Sequence, residues 1–350
     1  MADEPPVVTI ILPVLNEVES IDACLTTLAG QDYAGQVEIL VAEGGSTDGT
    51  RARLVDWALK LPSLRVIDNP KRLQSFGLNS LATNARGEIL MRADGHTTYA
   101  PNYVRQSVQT LQRTGAMVVG GLMTPVGSGR LTRAVAAAMT SPWAIGPARF
   151  RHATEESEAD AVYLGTMLRS DFLALGGFRT FPTGVAEDAD FFYRIRRGGG
   201  RVVLDPLIIS HYQPRTGWGG LFRQFRRYGQ GKAEMFWLNG EFPSWRPLAP
   251  LALVILITVV VTASIAGGNY WPVVVLAGTW LAASLLVFSA YGRMAPAVSG
   301  VAAVMQVAYG LGLAWGLVRG PGPVRGLRSA AVGGVEPPGR TPADQRDRDP

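Results

Sequence analysis

The chain has 350 residues, a formal net charge of +5 at pH 7 and a single cysteine, Cys24. This length allows one large domain or two ordinary ones, and a single cysteine excludes an internal disulfide and fits a reducing compartment. The N-terminal stretch has neither the basic segment nor the long apolar run of a signal peptide, so we expect the soluble part to stay in the cytoplasm.

Strand and helix patterns alternate along the first part of the chain. Continuous apolar runs predict strands at 7–13, 37–42, 64–68 and 88–94, and helical spacing predicts helices at 19–30, 51–60 and 73–85. This alternation predicts an α/β fold with a mostly parallel sheet and right-handed crossovers. Ligands of such sheets bind at the carboxyl ends of the strands, where the polar stretches "PVLNE", "AEGGSTDGT", "DNPKR" and "RADGH" lie.

The second half of the chain is less regular. Residues 121–185 show no clear alternation, whereas "EDADFFYRIRRGGGRVVL" (187–204) predicts a helix, a glycine stop and a strand. Between Ala249 and Leu317 the only charged residue is Arg293, and three apolar runs at about 249–267, 271–290 and 297–317 are each long enough to cross a membrane. The competing interpretation is buried helices of a soluble domain. The Gly- and Pro-rich tail predicts disorder.

Basic residues cluster just before the first apolar run. Their position favours contact with anionic lipid headgroups or lipid-linked phosphates. Nucleic acid is the rival partner, but no nucleic-acid motif accompanies the cluster, so we expect no nucleic-acid binding. The cluster consists of Arg215, Arg223, Arg226, Arg227, Lys232 and Arg246.

The order and spacing of several motifs resemble the inverting family 2 glycosyltransferases, which have the GT-A fold. These motifs are "IILPVLNE", "GGSTDGT", "LNSLATNARGEILMRAD", "GGF", "EDADFFYRI" and "QFRRYGQGK". The segments "RADGH", "DAVYLGT" and "YQPRTGWGGLFRQFRRYGQGK" resemble the ExoA-like succinoglycan-biosynthesis branch of that family. The resemblance implies a cytoplasmic GT-A domain over 1–240 with an amphipathic arm at about 215–240. A membrane domain of about three transmembrane helices over 249–318 and a disordered tail over 319–350 would follow.

The resemblance also implies a nucleotide-sugar pocket. It assigns Pro13 and Glu17 to the base and ribose, and Glu43 to the uracil or ribose. The second acid that the family has beside Glu43 is replaced here by Gly44. Arg72 is a candidate for the diphosphate because a guanidinium matches phosphate geometry with two donors, although it also fits a solvated loop arginine.

The metal motif of the family departs from its usual form in this chain. The Asp-x-Asp pattern becomes Arg92-Ala93-Asp94, so Asp94 alone remains as the anchor for Mn²⁺ or Mg²⁺. His96 and His211 are further candidate ligands, since Mn²⁺ also accepts imidazole. For either histidine a structural role is an equal alternative. We expect weak metal binding without nucleotide, because the substrate would supply most of the ligands.

The catalytic base is expected in "AEDAD". By resemblance Asp188 deprotonates the acceptor hydroxyl, with Glu187 and Asp190 supporting it. The alternative is an acidic first helical turn that complements the helix dipole. On the acceptor side we expect Gly165, Gln224, Arg227 and Tyr228. The last three lie in "QFRRY", which resembles the Gln-x-x-Arg-Trp motif of processive synthases with tyrosine in place of tryptophan.

The preferred function is a membrane-bound, metal-dependent glycosyltransferase that moves a hexose from a nucleotide sugar, with UDP as the expected nucleotide, to a lipid-linked saccharide in surface polysaccharide synthesis. It would be a multi-pass plasma-membrane protein with a cytoplasmic catalytic domain. A polyprenyl-phosphate sugar transferase and a non-catalytic membrane assembly factor are the alternatives. Three spans would put the tail, with Arg319, Arg325 and Arg328, outside, against the positive-inside tendency. Two explanations stay open: the glycine-rich third run is re-entrant, or the tendency does not hold for this chain.

Overall fold

The computed structural model describes residues 4–146, 153–214, 217–242 and 244–320. Within them one mixed sheet of nine strands has the order β3-β2-β1-β4-β8-β6-β9-β5, with β7 paired to β9. The strands are β1 (Val8–Val14), β2 (Val37–Glu43), β3 (Leu64–Asp68), β4 (Ile89–Arg92), β5 (Thr97–Tyr99), β6 (Val118–Pro125), β7 (Ser157–Glu158), β8 (Tyr163–Leu168) and β9 (Val202–Tyr212). The helices are α1 (Ile21–Ala29), α2 (Thr50–Lys60), α3 (Gln74–Asn84), α4 (Tyr103–Thr114), α5 (Arg130–Met139), α6 (Pro142–Ile145), α7 (Arg169–Ala174), α8 (Glu187–Arg197), α9 (Trp218–Asn239), α10 (Leu248–Gly267), α11 (Trp271–Val287) and α12 (Ala295–Arg319).

The four strands predicted from the N-terminal apolar runs are present and lie side by side. β1 pairs in parallel with β2 and β4, and β2 pairs in parallel with β3. Ile10 of β1 belongs to the same core cluster as Leu25 of α1, whereas its neighbour Ile11 joins Leu78 of α3 in a second cluster. Because helices cover both faces, successive residues are all buried, which explains the continuous apolar runs.

The other strands make the sheet mixed. β8 is antiparallel to both β4 and β6, whereas β6 and β9 run parallel. β5 pairs antiparallel with the end of β9 and so holds the loop after β4 against the second half of the sheet. The α/β architecture and the parallel first half confirm the predicted fold class. The antiparallel β8 was not predicted, because its stretch of sequence has no clear alternation.

The acidic motif begins a helix as predicted. α8 starts at Glu187, its last turn is followed by Gly198, and β9 begins at Val202. Phe191 and Ile195 of α8 are buried in the core cluster that includes Leu90 of β4. Because α8 packs on the sheet in this way, its first turn lies against the end of β4, where Arg92 pairs with Glu187.

The three C-terminal apolar runs form helices α10, α11 and α12. By length and composition, α10 and the helix over Ser289–Arg319 could cross a membrane, whereas α11 with 17 residues is shorter. The helix over Ser289–Arg319 consists of a 3-10 turn (Ser289–Met294) followed by α12. Buried residues of α12 share a core cluster with α5, α6 and α9. Arg215 and the predicted disordered tail beyond Gly320 lie outside the described residues.

Candidate active site

The loops after β1 and β2 are joined by hydrogen bonds. The backbone N–H of Asn16 donates to Ser46 Oγ (2.9 Å), and the N–H of Thr47 donates to Asn16 Oδ1 (2.9 Å). Asp48 accepts from the N–H of Thr50 at 3.0 Å, which satisfies a free donor at the start of α2. The "GGSTDGT" stretch is therefore a turn held by hydrogen bonds at the carboxyl edge of the sheet, where the nucleotide-sugar cleft is predicted.

Backbone strain concentrates around this edge of the sheet. Among the described residues, four non-glycine residues have positive φ: Asn16 (56°), Arg72 (55°), Leu164 (50°) and Ala186 (74°). Asn16 follows β1, Arg72 follows β3, and Ala186 directly precedes Glu187. Each such conformation costs on the order of 1–3 kcal/mol and clusters at functional sites. The distribution of strain thus points to the same edge as the polar motifs.

Glu43 organises the loop after β2. Its side chain is fully buried; Oε1 accepts from the N–H of Ser46 (2.6 Å) and Oε2 from Arg51 (2.8 Å). Burial by itself would raise the pKa of Glu43, but hydrogen bonds from Ser46, Gly45 and Arg51 hold it below its ordinary value. Both oxygens already accept bonds from the protein, so Glu43 holds the loop after β2 in place.

The other residues assigned to the nucleotide lie at the same edge. Pro13 pairs in register with Ala42 near the end of β1. Arg72 Nη2 is 3.4 Å from the carbonyl oxygen of Gly45, so its side chain reaches across to the loop after β2. Its assignment to a diphosphate stays a prediction.

Glu17 connects the loops after β1 and β4. Its Oε1 lies 3.1 Å from His96 Nδ1, and its Oε2 accepts from Ser20 Oγ at 3.0 Å. The His96 ring also contacts the Tyr212 ring edge-on, with centroids 5.2 Å apart. The carboxylate fixes the orientation of the imidazole, which is how ligating histidines are commonly held.

The arginine that replaces the first acid of the metal motif is buried between two carboxylates. Arg92 Nη2 lies 3.3 Å from Glu187 Oε1, and Arg92 Nε lies 3.7 Å from Asp94 Oδ1. Its guanidinium carbon is 5.6 Å from the centre of the Phe178 ring. Burial opposes the charge, but Asp94, Glu187 and Asp188 raise the pKa of Arg92 above its ordinary value. Arg92 is therefore a fixed positive charge in the site.

The acids of "AEDAD" have three different environments. Glu187 is buried, and its pKa is raised to about 7 by burial and by Asp188, against the opposing effect of Arg92. Asp188 is half-buried, and its Oδ1 accepts from its neighbour's backbone N–H. Asp190 is fully buried and pairs with Arg194 (2.9 Å) and Arg179 (3.3 Å). Asp190 is thus engaged by two arginines, whereas Asp188 has the exposure that a base needs.

The third predicted metal ligand, His211, lies on β9, which pairs with β5. It is exposed on β9 beside the buried Tyr212, and successive strand residues point to opposite faces. Since Tyr212 contacts His96, the His211 side chain points away from the cleft. The geometry therefore does not support His211 as a ligand of a metal at Asp94.

The residues at this edge could hold a divalent cation only if a bound substrate supplied further ligands. Among the described residues no group of three or more His, Cys, Asp or Glu side chains is arranged to hold a metal. Asp94 offers one carboxylate, whose Oδ1 already faces Gln74 Nε2 (3.4 Å) and Arg92. Asp94, with His96 nearby, could anchor an ion whose remaining ligands are diphosphate oxygens and water.

The predicted acceptor residues of α9 lie beside Tyr212 and the loop before Glu187. Gln224 Nε2 donates to the Tyr228 hydroxyl (2.8 Å) and lies 3.4 Å from that of Tyr212. Arg227 Nη2 donates to the carbonyl of Thr183 at 2.6 Å. The "QFRRY" motif is thereby tied to the loop that leads into Glu187.

Gly165 is located in the core. A Cβ atom on Gly165 would lie 2.8 Å from Val118 Cγ1 and 3.1 Å from Met167 Cε. The missing side chain allows β8 to pack beneath α8, near Phe192. Its expected acceptor role is therefore not supported by its surroundings, and a packing role is.

Several residues at the site were not predicted from the sequence. Gln74 donates to Asp94, and Tyr163 bonds Thr97 through its hydroxyl (2.9 Å). Lys232 was grouped with the lipid-binding basic residues, yet burial lowers its pKa while Asp188 and Asp190 oppose that shift. Gln74 could have been predicted to lie at the site, because α3 starts there directly after the polar stretch "NPKR". Nothing local distinguishes Lys232 from its basic neighbours.

Comparison with known proteins identifies the family. Succinoglycan biosynthesis protein ExoA of Rhizobium meliloti (strain 1021) is 32% identical over 311 residues, which cover 87% of this chain and 92% of the relative. The chain belongs to glycosyltransferase family 2. The sequence model of the family described as "Glycosyl transferase family 2" matches residues 9–174 of this chain. The match to ExoA extends well beyond those residues, and the protein is a glycosyltransferase.

Two further proteins are similar to this chain. A dolichyl N-acetyl-alpha-D-glucosaminyl phosphate 3-beta-D-2,3-diacetamido-2,3-dideoxy-beta-D-glucuronosyltransferase of Methanococcus voltae is 25% identical over 65% of this chain and 73% of its own length. A mannosyltransferase from Pyrobaculum calidifontis, solved in complex with GDP-Man and Mn²⁺, superposes with a TM-score of 0.60 at 23% identity, covering 88% of each chain. The latter likeness supports the GT-A-like fold.

Proposed function

We propose that this glycosyltransferase transfers a hexose, with inversion, from a nucleotide sugar to a lipid-linked saccharide at the cytoplasmic face of the plasma membrane, in the synthesis of a surface glycan. The observation that carries the proposal is the convergence of Asp94, Arg92 and the Glu187–Asp188 pair at the carboxyl end of β4. An anchor for the donor and a candidate base thus lie on either side of one buried cation.

Asp188 is the proposed base. Inverting transfer needs a carboxylate that accepts the proton of the acceptor hydroxyl as that oxygen attacks the sugar. Asp188 is half-buried at the start of α8, whereas Glu187 is buried against Arg92 and Asp190 is held by two arginines. Asp188 is therefore the acid of the three best able to meet an incoming hydroxyl.

Fixed positive charge on the donor side comes from the chain itself. The diphosphate leaving group gains negative charge as the glycosidic bond breaks. Arg92 lies beside Asp94 and remains charged, and Arg72 extends over the loop after β2. A divalent ion held by Asp94, with His96, and by the substrate would neutralise further charge on the diphosphate. Glu17 orients His96 for this role.

The partners follow from the neighbouring surfaces. Tyr228 is 40% exposed and offers a ring on which an acceptor sugar could stack, and Arg227 lies close to the loop before Glu187. The apolar C-terminal helices supply the proposed attachment to the membrane, and of the two that are long enough to cross it, α10 is the more apolar and the less buried. The names of the two relatives are those of proteins of succinoglycan synthesis and of lipid-linked sugar transfer, which supports a lipid-linked acceptor.

Calorimetric titration of nucleotides into the detergent-purified full chain tests the donor site. UDP and GDP are titrated with Mn²⁺, with Mg²⁺ and with EDTA, and again into Asp94→Ala. The matched control is Asp56→Ala, which removes an exposed carboxylate of α2. Metal-dependent binding that is lost in Asp94→Ala and kept in Asp56→Ala supports the proposal. The absence of binding with both nucleotides would overturn it.

A further inference from the structure

The three C-terminal apolar helices have different surroundings. In the most apolar 18-residue stretch of α10, 11% of the residues are buried, compared with 44% for the helix that contains α12. Large apolar side chains of α10 and α11 are exposed, for example Val259 (58%) and Leu286 (77%). Exposed apolar surface of this extent needs a partner, and α10 and α11 therefore have the character of lipid-facing helices.

α12, in contrast, is packed against the catalytic domain. A Cβ atom on Gly312 would lie 2.0 Å from the carbonyl oxygen of Arg226, and one on Gly229 would lie 2.1 Å from that of Tyr309. The backbones of α9 and α12 are thus in direct contact. Val301 and Met305 of α12 also share a core cluster with Met123 of β6 and Tyr212 of β9.

The two helices lie alongside each other and run in the same direction. At one end the side chain of Trp218 contacts the position of Gly300, and at the other Ala233 contacts that of Gly316. The Trp237 indole N–H donates to the Gly316 carbonyl at 3.2 Å. α12 therefore cannot cross a bilayer without taking α9 with it.

α9 is not suited to the hydrocarbon core. It presents exposed Arg223, Arg226 and Arg227, and its Glu234 accepts from the Thr183 hydroxyl at 2.6 Å. Several charged side chains at the centre of a bilayer would be too costly, whereas they suit the headgroup region. Because α12 lies alongside α9 over most of its length, α12 belongs at the same depth, at the surface of the membrane.

The flanks of α10 and α11 have the pattern of a membrane-crossing hairpin. Arg246 precedes α10 and Arg293 follows α11, while the turn between them, 268–270, has no charge. Exposed aromatic side chains lie at both ends of the hairpin, as at the two interfaces of a bilayer. They are Trp245 (71%) and Tyr291 (42%) at one end, and Tyr270 (61%) and Trp271 (72%) at the other.

We propose that α10 and α11 form a transmembrane hairpin, and that α12 is a layer of the catalytic domain at the membrane surface and not a third span. The proposal rests on the membrane attachment proposed above. With two crossings, the C-terminal tail returns to the side of the catalytic domain. Arg319, Arg325 and Arg328 then obey the positive-inside tendency, and the conflict created by three spans disappears.

This arrangement gives α12 a role in the reaction site. The face of α9 opposite α12 touches the loop before Glu187: a Cβ atom on Gly231 would lie 2.8 Å from Val185 Cγ2 and 3.1 Å from Ala186 Cβ. Thr183 in the same loop bonds both Arg227 and Glu234. α12 therefore supports, through α9, the loop that positions Glu187 and Asp188.

Cysteine labelling tests the topology. The natural Cys24 is fully buried and its pKa is raised by burial, so it should stay unlabelled. Single cysteines are introduced as Lys60→Cys on the catalytic domain, Asn269→Cys in the hairpin turn and Ser329→Cys in the tail. A membrane-impermeant maleimide is applied to intact cells and to inverted membrane vesicles, whose exposed surface is the cytoplasmic one.

We expect Ser329→Cys to be labelled with Lys60→Cys, and Asn269→Cys to be labelled from the opposite side. Labelling of Ser329→Cys from the side of Asn269→Cys would mean three crossings and overturn the proposal. Labelling of all three from one side would mean that the hairpin does not cross, which also overturns it. The readout does not depend on catalysis, so it is separate from the test of donor binding.

A pair of glycine substitutions tests whether α12 is part of the catalytic domain. Gly312→Ala adds a Cβ atom against the Arg226 carbonyl, whereas the matched Gly278→Ala in α11 meets no atom within 4 Å. Alanine is the better helix former, so Gly278→Ala should be neutral or stabilising. Gly312→Ala should lower the melting temperature of the detergent-purified chain by about 5 °C or more. Equal melting temperatures of the two variants would overturn the proposal.

Discussion

Arg92 Nη2 lies 3.3 Å from Glu187 Oε1, and both side chains are more than nine-tenths buried. The pair joins the end of β4 to the first turn of α8, two elements that are far apart in the sequence. Arg92 also faces Asp94, so one guanidinium connects the loop after β4 with the acidic cluster. The arginine that departs from the family's metal motif is thus a structural link between the two halves of the proposed reaction site.

Replacing Arg92 by methionine should strongly destabilise the protein. The change keeps much of the side-chain volume but leaves Glu187 and Asp94 without their counter-charge. Removing one partner of a buried pair costs about 3–5 kcal/mol of unfolding free energy. Chemical denaturation in detergent measures the loss. The control is Arg53→Met, whose exposed pair with Asp22 at 3.7 Å is worth about 0–1 kcal/mol. An Arg92→Met variant as stable as the control would contradict the prediction.

Glu187 should make stability depend on pH in a defined window. Its pKa in the fold is about 7, compared with an ordinary value of 4.5, so the folded chain holds this proton more tightly than the unfolded chain. The resulting stabilisation is fully present below about pH 4.5 and is lost as the pH rises through about 7. Relative to Glu187→Gln, wild type should lose about 3 kcal/mol across that window.

Unfolding free energies of the two proteins at a series of pH values provide the measurement. Their difference cancels the titration of the shared groups that do not interact with Glu187. A difference that stays constant between pH 4 and about 8 would show that Glu187 titrates normally.

Replacement by asparagine should have different effects at Asp188 and at Asp190. Asp188→Asn removes the proposed base, so turnover with a suitable donor should fall by a factor of about 10²–10⁴ while stability and nucleotide binding persist. Asp190→Asn weakens the pairs with Arg194 and Arg179 and should mainly lower the melting temperature. Turnover and thermal unfolding of both variants separate the two roles. Unchanged turnover in Asp188→Asn would exclude it as the base.

Mn²⁺ alone should bind weakly. Asp94 is a single carboxylate next to the fixed charge of Arg92, and the described residues hold no cluster of three metal-ligating side chains. We expect half-saturation at about 1 mM or weaker without nucleotide, and much tighter binding with UDP or GDP present. Electron paramagnetic resonance of free Mn²⁺ reports both values. Micromolar binding by the protein alone would mean that the chain has a preformed site.

The sequence alone identified the first half of the fold. The strands at β1 to β4 were predictable because a strand buried on both faces is continuously apolar, and the helices between them have clear spacing. Cleft residues such as Glu17 and Asp94 were identified because they directly follow such strands. The apolar runs at 249–267, 271–290 and 297–317 were likewise evident, since length and lack of charge are local properties.

Tertiary structure alone decided which of these residues meet. Arg92 and Glu187, or Glu17 and His96, become partners through the packing of α8 and the alignment of β1 with β4. The surroundings of Gly165 and His211 could not be foreseen, because the direction of a side chain depends on the register of β8 and β9 with their neighbours. Composition likewise cannot distinguish α12 from a membrane span, because an apolar helix is stable both against lipid and against a protein core. The close contacts of Gly229 with Tyr309 and of Gly312 with Arg226 decide that α12 packs on protein.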